Sequence, residues 1–356
     1  MRIRGLSPLL ATLILIAIVV SAGAAIYLSI MNMTSTLSNE LSVQLASANL
    51  VVSGNSALLT VSVKNAGNTP LAGIIVAGYD DNGKCFKLAL PPAEPGQTSR
   101  NTLIIPLNVP FIALDGSGNN NHGAIYGATW VDGKYGKALS FNGVDNYVEI
   151  SNSGDMRFPQ QTVTLWAKPD YQTSGAFQYH KDIIRKGGEW GFSTLGSFNT
   201  NPKITVEYRY FGGTPYWCDP STPLNIGNWN FIAVAWNRDQ AKINTFINGV
   251  SEELNVATGT PFYHTPPLKL ATGHAGYFKG VLDEVCVYDR ASVEVKSNII
   301  NKGLPPTDGL VLWLPLDEGS NSPFSFTAGG KYALTVTAYT LDGSTTTQAI
   351  TVVAAA

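Results

Sequence analysis

Charged side chains are scarce in this 356-residue chain: Asp, Glu, Lys and Arg make up 13% of it, about half of the ~25% usual in soluble domains. The 23 basic and 25 acidic residues leave a net charge of −2. That balance excludes a polybasic nucleic-acid binder, so we expect no nucleic-acid partner. Three cysteines are too few for a disulfide-dense scaffold.

The charge is missing altogether from residues 5–39. Inside that stretch, residues 9–30 are almost entirely apolar, and a membrane-spanning helix needs ~20 such residues. Ser7 followed by Pro8 is a typical helix start. We therefore predict a hydrophobic helix over residues 6–43, which crosses a membrane or forms a filament core. Its expected core residues are Leu9, Leu10, Leu13, Ile14, Ile16, Ile18, Val19, Ala22 and Ile26.

The boundary before this stretch reads Arg4-Gly5-Leu6-Ser7-Pro8 and resembles the class III signal of archaeal type IV pilins. The resemblance implies that residues 1–5 are a leader, processed at Arg4, Gly5 and Leu6 by a prepilin peptidase that cuts after Gly5. It also implies a precursor in the cytoplasmic membrane, an extracellular filament of identical copies joined through N-terminal helices, and pilus assembly machinery as a partner. A plain membrane anchor is the alternative. Asn32 begins an N-glycosylation sequon.

Beyond residue 43 the pattern predicts strands. Leu59, Val61 and Val63 alternate with polar residues, as in a half-buried strand. Residues 44–110 hold too few strands for a complete immunoglobulin-like sandwich. Residues 323–356 hold two more alternating strands around an Asp-Gly turn, and the two segments together reach about 100 residues. We predict one immunoglobulin-like pilin head, built from both segments.

The 212 residues between these segments, 111–322, carry their own pattern. The motifs SGNNNHG, FNGVDNYVEI, FINGV and DEVCVYDRA occur in an order that resembles a laminin-G-like, concanavalin A-like jelly roll. GLVLWLPLDEG, which resembles the opening strand of that fold, comes last, so the domain looks circularly permuted; a truncated second copy is the alternative. The predicted fold class is mainly β with one long N-terminal α-helix, an immunoglobulin-like β-sandwich interrupted by this jelly roll.

The chemistry of the insert favours binding over catalysis. Glycoside hydrolases need two carboxylates across a cleft, and the adjacent Asp283 and Glu284 point to opposite faces of a strand. We therefore expect no enzyme. The segment EYRYFGGTPYWCDP provides aromatic rings for sugar faces and polar neighbours for hydroxyls. The candidate glycan-binding residues are Glu207, Arg209, Tyr216 and Trp217; alternatively, the loop aromatics only cover the end of the fold.

The laminin-G-like resemblance also implies a bound Ca²⁺, with Asp115 and Asp283 as candidate ligands. The alternative is that Asp115 caps its turn and Asp283 makes strand-end hydrogen bonds. Outside the cell a Cys218–Cys286 disulfide is compatible with the sequence, and Cys85 is then left unpaired.

These features predict that the chain is a pilin, the subunit of a type IV pilus-like filament. Its outward-facing lectin-like domain is expected to adhere to cell-surface glycans or other filaments. The main alternative is a membrane-anchored lectin-like surface protein that does not polymerise. A surface glycosidase is the third reading.

Overall fold

A computed structural model of the chain describes residues 40–151, 156, 158–170, 181–195, 202–209, 216–256, 266–291 and 302–356. All regular secondary structure in these residues is β-strand, and none of it is helix. The strands are numbered below in chain order. They form three sheets, one from the two ends of the chain and two from its middle.

The predicted fold class includes a long N-terminal helix over residues 6–43. For the described part of that range, residues 40–43, this prediction is wrong. Val43, the predicted helix end, opens strand β1 and pairs with Asn65 of the next strand. That pairing satisfies the backbone groups through a ladder, and it leaves no helical turn there. Among the described residues, no helix has the length and hydrophobicity to span a membrane.

Several predictions concern residues 1–39, which lie outside the described residues. They are the processing site Arg4-Gly5-Leu6, the sequon at Asn32 and the apolar positions between Leu9 and Ile26.

The sheet of the head combines strands from both ends of the chain, in the order β4-β3-β22-β23-β1-β2-β5. Leu59 and Val61 of β2 are fully buried, as their alternation predicts. Leu334 and Val336 of β22 are each only 1% exposed. The head strands are β1 (Val43–Ser53), β2 (Ser56–Asn65), β3 (Gly73–Tyr79), β4 (Cys85–Leu90), β5 (Thr98–Pro106), β22 (Lys331–Tyr339) and β23 (Thr345–Ala355).

The middle of the chain forms a front sheet and a back sheet. The front sheet has the order β15-β14-β13-β12-β19-β10-β7-β6 and consists of β6 (Ile112–Ala113), β7 (Gly123–Tyr126), β10 (Tyr147–Ile150), β12 (Lys181–Lys186), β13 (Trp190–Leu195), β14 (Lys203–Tyr208), β15 (Tyr216–Cys218) and β19 (Leu268–Leu270).

The back sheet has the order β18-β17-β16-β11-β20-β9-β8, and β21 pairs with β20 beside this path. Its strands are β8 (Thr129–Asp132), β9 (Lys137–Asn142), β11 (Gln160–Pro169), β16 (Asn230–Asn237), β17 (Lys242–Ile247), β18 (Val250–Asn255), β20 (Lys279–Tyr288) and β21 (Leu310–Leu314).

One apolar core lies between the front and back sheets, and Trp190 and Trp236 meet in it with ring centroids 5.5 Å apart. Strand β21 contributes Leu312 and Leu314 to this core. Because β21 pairs antiparallel with β20, the strand that comes last in the insert lies inside the same sandwich as the strands that precede it.

The insert leaves and re-enters the head at neighbouring points. The backbone N–H of Phe111 donates to the Asn321 carbonyl at 3.1 Å, and Leu107 bridges Phe324. A small apolar cluster joins the two bodies, with Ile75 and Tyr339 from the head packed against Tyr288 and Trp313 of the insert. Insertion into a loop is tolerated where the ends of the guest lie this close together.

Candidate functional site

A row of residues crosses the front sheet in register. Directly paired residues of neighbouring strands point to the same face. The flanking positions Ile184, Phe192 and Val206 belong to the inter-sheet core, so the row faces away from that core. From β10 to β15 the row consists of Glu149, Lys269, Arg185, Gly191, Glu207 and Trp217, and we call it the polar row.

The centre of the polar row is a buried charge network. The guanidinium of Arg185 donates from Nε to Asp182 Oδ1 at 2.5 Å and from Nη1 to Glu207 Oε2 at 2.8 Å. Asp182 also accepts from the Ser193 hydroxyl at 2.7 Å and from the Ala275 backbone N–H at 2.7 Å. Asp182, Arg185 and Glu207 are at most 2% exposed. These charge-assisted hydrogen bonds hold the three side chains in one arrangement.

Gly191 allows this network to form. A Cβ at this position would lie 2.6 Å from the Ile184 carbonyl oxygen and 3.1 Å from the Arg185 Cα. The missing side chain also leaves the space through which the Arg185 guanidinium reaches Glu207, two strands away. Any larger residue would force the strands apart or displace Arg185.

A cavity of about 540 Å³ opens above the network, and its wall includes Arg185, Arg209, Lys269, His274 and Tyr277. The side chains of Arg209 and Lys269 are about one third exposed. The wall thus offers hydrogen-bond donors above carboxylates that are themselves buried.

Trp217 borders the cavity through His274, whose ring meets the indole edge-on with centroids 6.2 Å apart and an angle of 80°. The imidazole Nε2 lies 3.2 Å from Glu207 Oε2. Trp217 is 42% exposed, so part of the ring faces solvent. An exposed indole beside fixed polar groups can stack on the apolar face of a sugar while those groups bind its hydroxyls.

The structure brings three of the four predicted glycan residues together and turns the fourth away. Glu207, Arg209 and Trp217 lie on the outer face, and Arg209 Nη2 is 3.6 Å from Glu207 Oε1. Tyr216 pairs with Tyr208, whose side chain belongs to the core, so Tyr216 faces the other side of β15.

The sequence reasoning missed Asp182, Arg185 and His274. A strand with period two places residues three apart on opposite faces, but an irregularity between Asp182 and Ile184 puts the Asp182 carboxylate beside Arg185. His274 lies in the loop between β19 and β20, 67 positions from Glu207. No local sequence pattern predicts the Asp182–Arg185 contact or the His274–Glu207 contact.

The two predicted calcium ligands both accept hydrogen bonds from backbone N–H groups. Both oxygens of Asp115 accept hydrogen bonds, Oδ1 from the backbone N–H groups of Ser117 and Trp313, and Oδ2 from Asn121 N–H and the Ser117 hydroxyl. Asp283 Oδ2 accepts from the backbone N–H groups of Lys134 and Tyr135. Asp115 thus caps its turn.

The part of the chain that the structure describes contains no group of three or more His, Cys, Asp or Glu side chains placed to hold a metal. Bound Ca²⁺ stays a prediction of the sequence resemblance.

The predicted Cys218–Cys286 bridge is not formed, and Cys85, Cys218 and Cys286 are free thiols. Cys218 packs against the core between the front and back sheets. Cys286 lies on the back sheet and faces the other way, into the cluster that joins the insert to the head. The two sulfur atoms therefore point into different parts of the molecule.

Comparison with known proteins gives one family match, and it lies within the insert. Residues 142–294 match a family model described as the concanavalin A-like lectin/glucanases superfamily. No curated protein sequence matches the chain.

Solved structures of similar shape have low sequence identity. Domain 4 of AbnA, a GH43 extracellular arabinanase from Geobacillus stearothermophilus in complex with arabinotriose, is 22% identical, with 48% of this chain and 82% of that chain covered and a TM-score of 0.37. A heptameric SAP-like pentraxin from Limulus polyphemus is 14% identical, with 53% and 94% covered and a TM-score of 0.38.

The CBM40 domain of a Ruminococcus gnavus IT-sialidase, bound to α2,3-sialyllactose, is 13% identical, with 46% and 91% covered and a TM-score of 0.33. The family match over residues 142–294 covers less than half of the chain. This part of the chain is similar to the concanavalin A-like lectin/glucanases superfamily.

Proposed function

We propose that the inserted domain binds glycans without cleaving them, at the outer face of the front sheet. The observation that carries this proposal is the exposed Trp217 indole beside a rigid, buried Asp182–Arg185–Glu207 network and the cavity above it. The family match of residues 142–294 supports the same conclusion.

A hydrolase is less well supported by this face. Asp182 and Glu207 both bind the Arg185 guanidinium, and neither of them lines the cavity. Glycoside hydrolysis needs two carboxylates that flank the bound sugar. The face is therefore better suited to orienting a sugar than to transferring a proton.

Binding is tested with the full chain on a glycan array, followed by calorimetry on the glycans that bind. Trp217→Ala removes the stacking surface, and we expect affinity to fall about tenfold or more, which corresponds to about 1.4 kcal/mol. Tyr216→Ala is the matched control, since Tyr216 is equally exposed at 42% and lies on the same strand with the opposite orientation.

Equal losses in the two variants would argue against stacking at Trp217. Release of shorter sugars from a bound glycan, followed by chromatography, would overturn the non-enzymatic assignment.

The second candidate function concerns how this domain is displayed. We propose that the chain is a pilin-like subunit of an extracellular filament, with copies of itself as partners and the glycan-binding domain facing outward for adhesion. The support is the Arg4-Gly5-Leu6 boundary and the absence of charge from residues 5–39. Purified surface filaments containing a chain that begins at Leu6 are the expected result. A monomeric membrane protein that retains Met1 would favour the non-polymerising lectin-like alternative.

A further inference from the structure

The outer face of the front sheet carries a second aromatic platform, far from Trp217. Tyr147 lies two residues before Glu149 on β10 and therefore shares its face. Tyr126 of β7 pairs with Tyr147, and their rings stack with centroids 4.4 Å apart and planes at 11°. Tyr126 is 44% exposed. The same face thus presents aromatic rings at both of its ends.

The strand order sets the separation of the two platforms. Between β15, which carries Trp217, and β7, which carries Tyr126, lie β14, β13, β12, β19 and β10. Six strand spacings of ~4.8 Å separate the platforms by about 29 Å. A single sugar cannot contact both, but a linear oligosaccharide that runs across the strands can.

The surface between the platforms carries cationic side chains beside the carboxylates of the polar row. Lys269 lies beside the second platform, with its Nζ 5.1 Å from the centre of the Tyr147 ring and 3.0 Å from Glu149 Oε2. Arg209 lies beside Trp217 at the other end. Among the described residues that line the 540 Å³ cavity there is no Asp or Glu, whereas Arg185, Arg209 and Lys269 all contribute.

Arg209 has spare hydrogen-bonding capacity. Its guanidinium is 3.6 Å from Glu207 Oε1, longer than a hydrogen bond, and its Nε is buried without a hydrogen-bond acceptor. Glu207 Oε1 is likewise buried without a donor within hydrogen-bond distance. A guanidinium with unused donors binds a carboxylate in a bidentate manner.

We propose that this face binds a linear glycan that carries carboxylate groups, extended across the strands from Trp217 to Tyr126, with one sugar carboxylate on Arg209. The proposal rests on the proposed glycan-binding function and specifies its ligand: an acidic, uronate-type chain rather than a terminal neutral sugar.

The experiment measures affinity by calorimetry for oligogalacturonates, from dimer to octamer, using the full chain. We expect the octamer to bind about tenfold more tightly than the dimer. Tyr126→Ala should remove most of that advantage and lower octamer affinity much more than dimer affinity. Tyr79→Ala, an exposed tyrosine of the head, is the control and should change neither value.

Charge selectivity is tested with Arg209→Gln and with neutral arabino-oligosaccharides of the same lengths. The variant should lose about tenfold in affinity for oligogalacturonates and lose clearly less for neutral chains, for which Arg209 binds only hydroxyls. Retained acidic affinity in Arg209→Gln, or tighter binding of sulfated chondroitin than of oligogalacturonate, would overturn the carboxylate assignment.

The two proposals fail in different ways. Neutral glycans that bind through Trp217, with no gain from length or carboxylates, would refute the extended acidic site and leave glycan binding standing. A folded protein that binds no glycan of any class would refute both.

Discussion

Two charge clusters of this protein contain the same kinds of residues but have different surroundings. The front-sheet network pairs Arg185 with Asp182 and Glu207 below an open cavity. The junction cluster pairs Lys87 of the head with Glu284 and Asp317 of the insert. The first lies within one sheet, whereas the second lies where the head contacts the insert.

Three carboxyls around the junction have raised pKa values. Burial raises the pKa of Glu284 to about 7, with the Lys87 ammonium opposing the shift and the Asp317 carboxylate adding to it. Burial likewise raises the pKa of Glu318 to about 7 and, together with the neighbouring Glu284 charge, that of Asp283 to about 8. The comparison shows that the charge of the junction changes with pH near neutrality. In the front sheet, a guanidinium bound between two carboxylates makes a rigid platform.

The largest effect is expected from removing the central cation of the front sheet. Arg185→Met leaves the Asp182 and Glu207 carboxylates buried without their partner, and breaking such a pair costs about 3–5 kcal/mol of unfolding free energy. Urea unfolding measures it. The control is Arg209→Met, which removes a one-third-exposed guanidinium and should cost no more than about 1 kcal/mol. Similar losses in both variants would mean that the network is not the stabilising feature.

A smaller loss is expected at the junction. Lys87→Met removes the ammonium between Glu284 and Asp317, but the Lys87 side chain is 19% exposed and Glu284 can take up a proton instead. We expect a loss of about 1–3 kcal/mol at pH 8 and a clearly smaller one at pH 5. Thermal unfolding at the two pH values measures it, and an equal loss at both would contradict the proposed role of Glu284 protonation.

The parent protein should itself become less stable as the pH rises from about 5 to 8. The folded pKa of Glu284 and Glu318, about 7, lies above the ordinary value of 4.5. The folded state therefore holds more protons in this window, and its stability falls as they are lost. Glu284→Gln should flatten the slope, whereas Glu94→Gln, at an exposed position of the head, should leave it unchanged. A slope of the opposite sign would contradict this assignment.

The smallest expected effect is a difference in the rate at which the cysteine thiols react with a labelling reagent. Burial raises the pKa of Cys85 to about 12 and also raises the pKa values of Cys286 and Cys218. Cys85 and Cys286 are buried, whereas Cys218 is only partly buried. In the native protein we expect a maleimide reagent to label Cys218 first and the two buried thiols only after unfolding. Mass spectrometry of the labelled peptides measures the order. A native Cys218–Cys286 disulfide would protect both and contradict the structure.

Much of the strand pattern was predictable because side chains alternate between the two faces of a strand. Leu59 and Val61 in the head, and Ile204 and Val206 in the insert, are buried as their spacing predicts. The same parity places Glu207 and Arg209 on the outer face. The start of a strand at Val43 was not predictable in this way, because it depends on the pairing of Val43 with Asn65, which lies on the next strand.

The charge networks were beyond the reach of a local pattern. An irregularity in β12 brings Asp182 beside Arg185, and its position depends on pairing with β13. His274 reaches Glu207 because β19 lies next to β12 in the sheet. At the junction, Lys87 and Asp317 are 230 positions apart. No spacing rule relates residues that meet only through packing.

The sequence by itself determined which side chains are buried, where the turns lie and that an aromatic and a charged residue share the outer face of the insert. Those properties follow from period-two alternation and turn chemistry, which act over a few residues. Only the tertiary structure decided that Arg185 is held between two buried carboxylates, that Gly191 leaves room for it and that Lys87 joins the head to the insert. These contacts depend on strand register and on domain packing, and both are set by the whole core rather than by any segment of it.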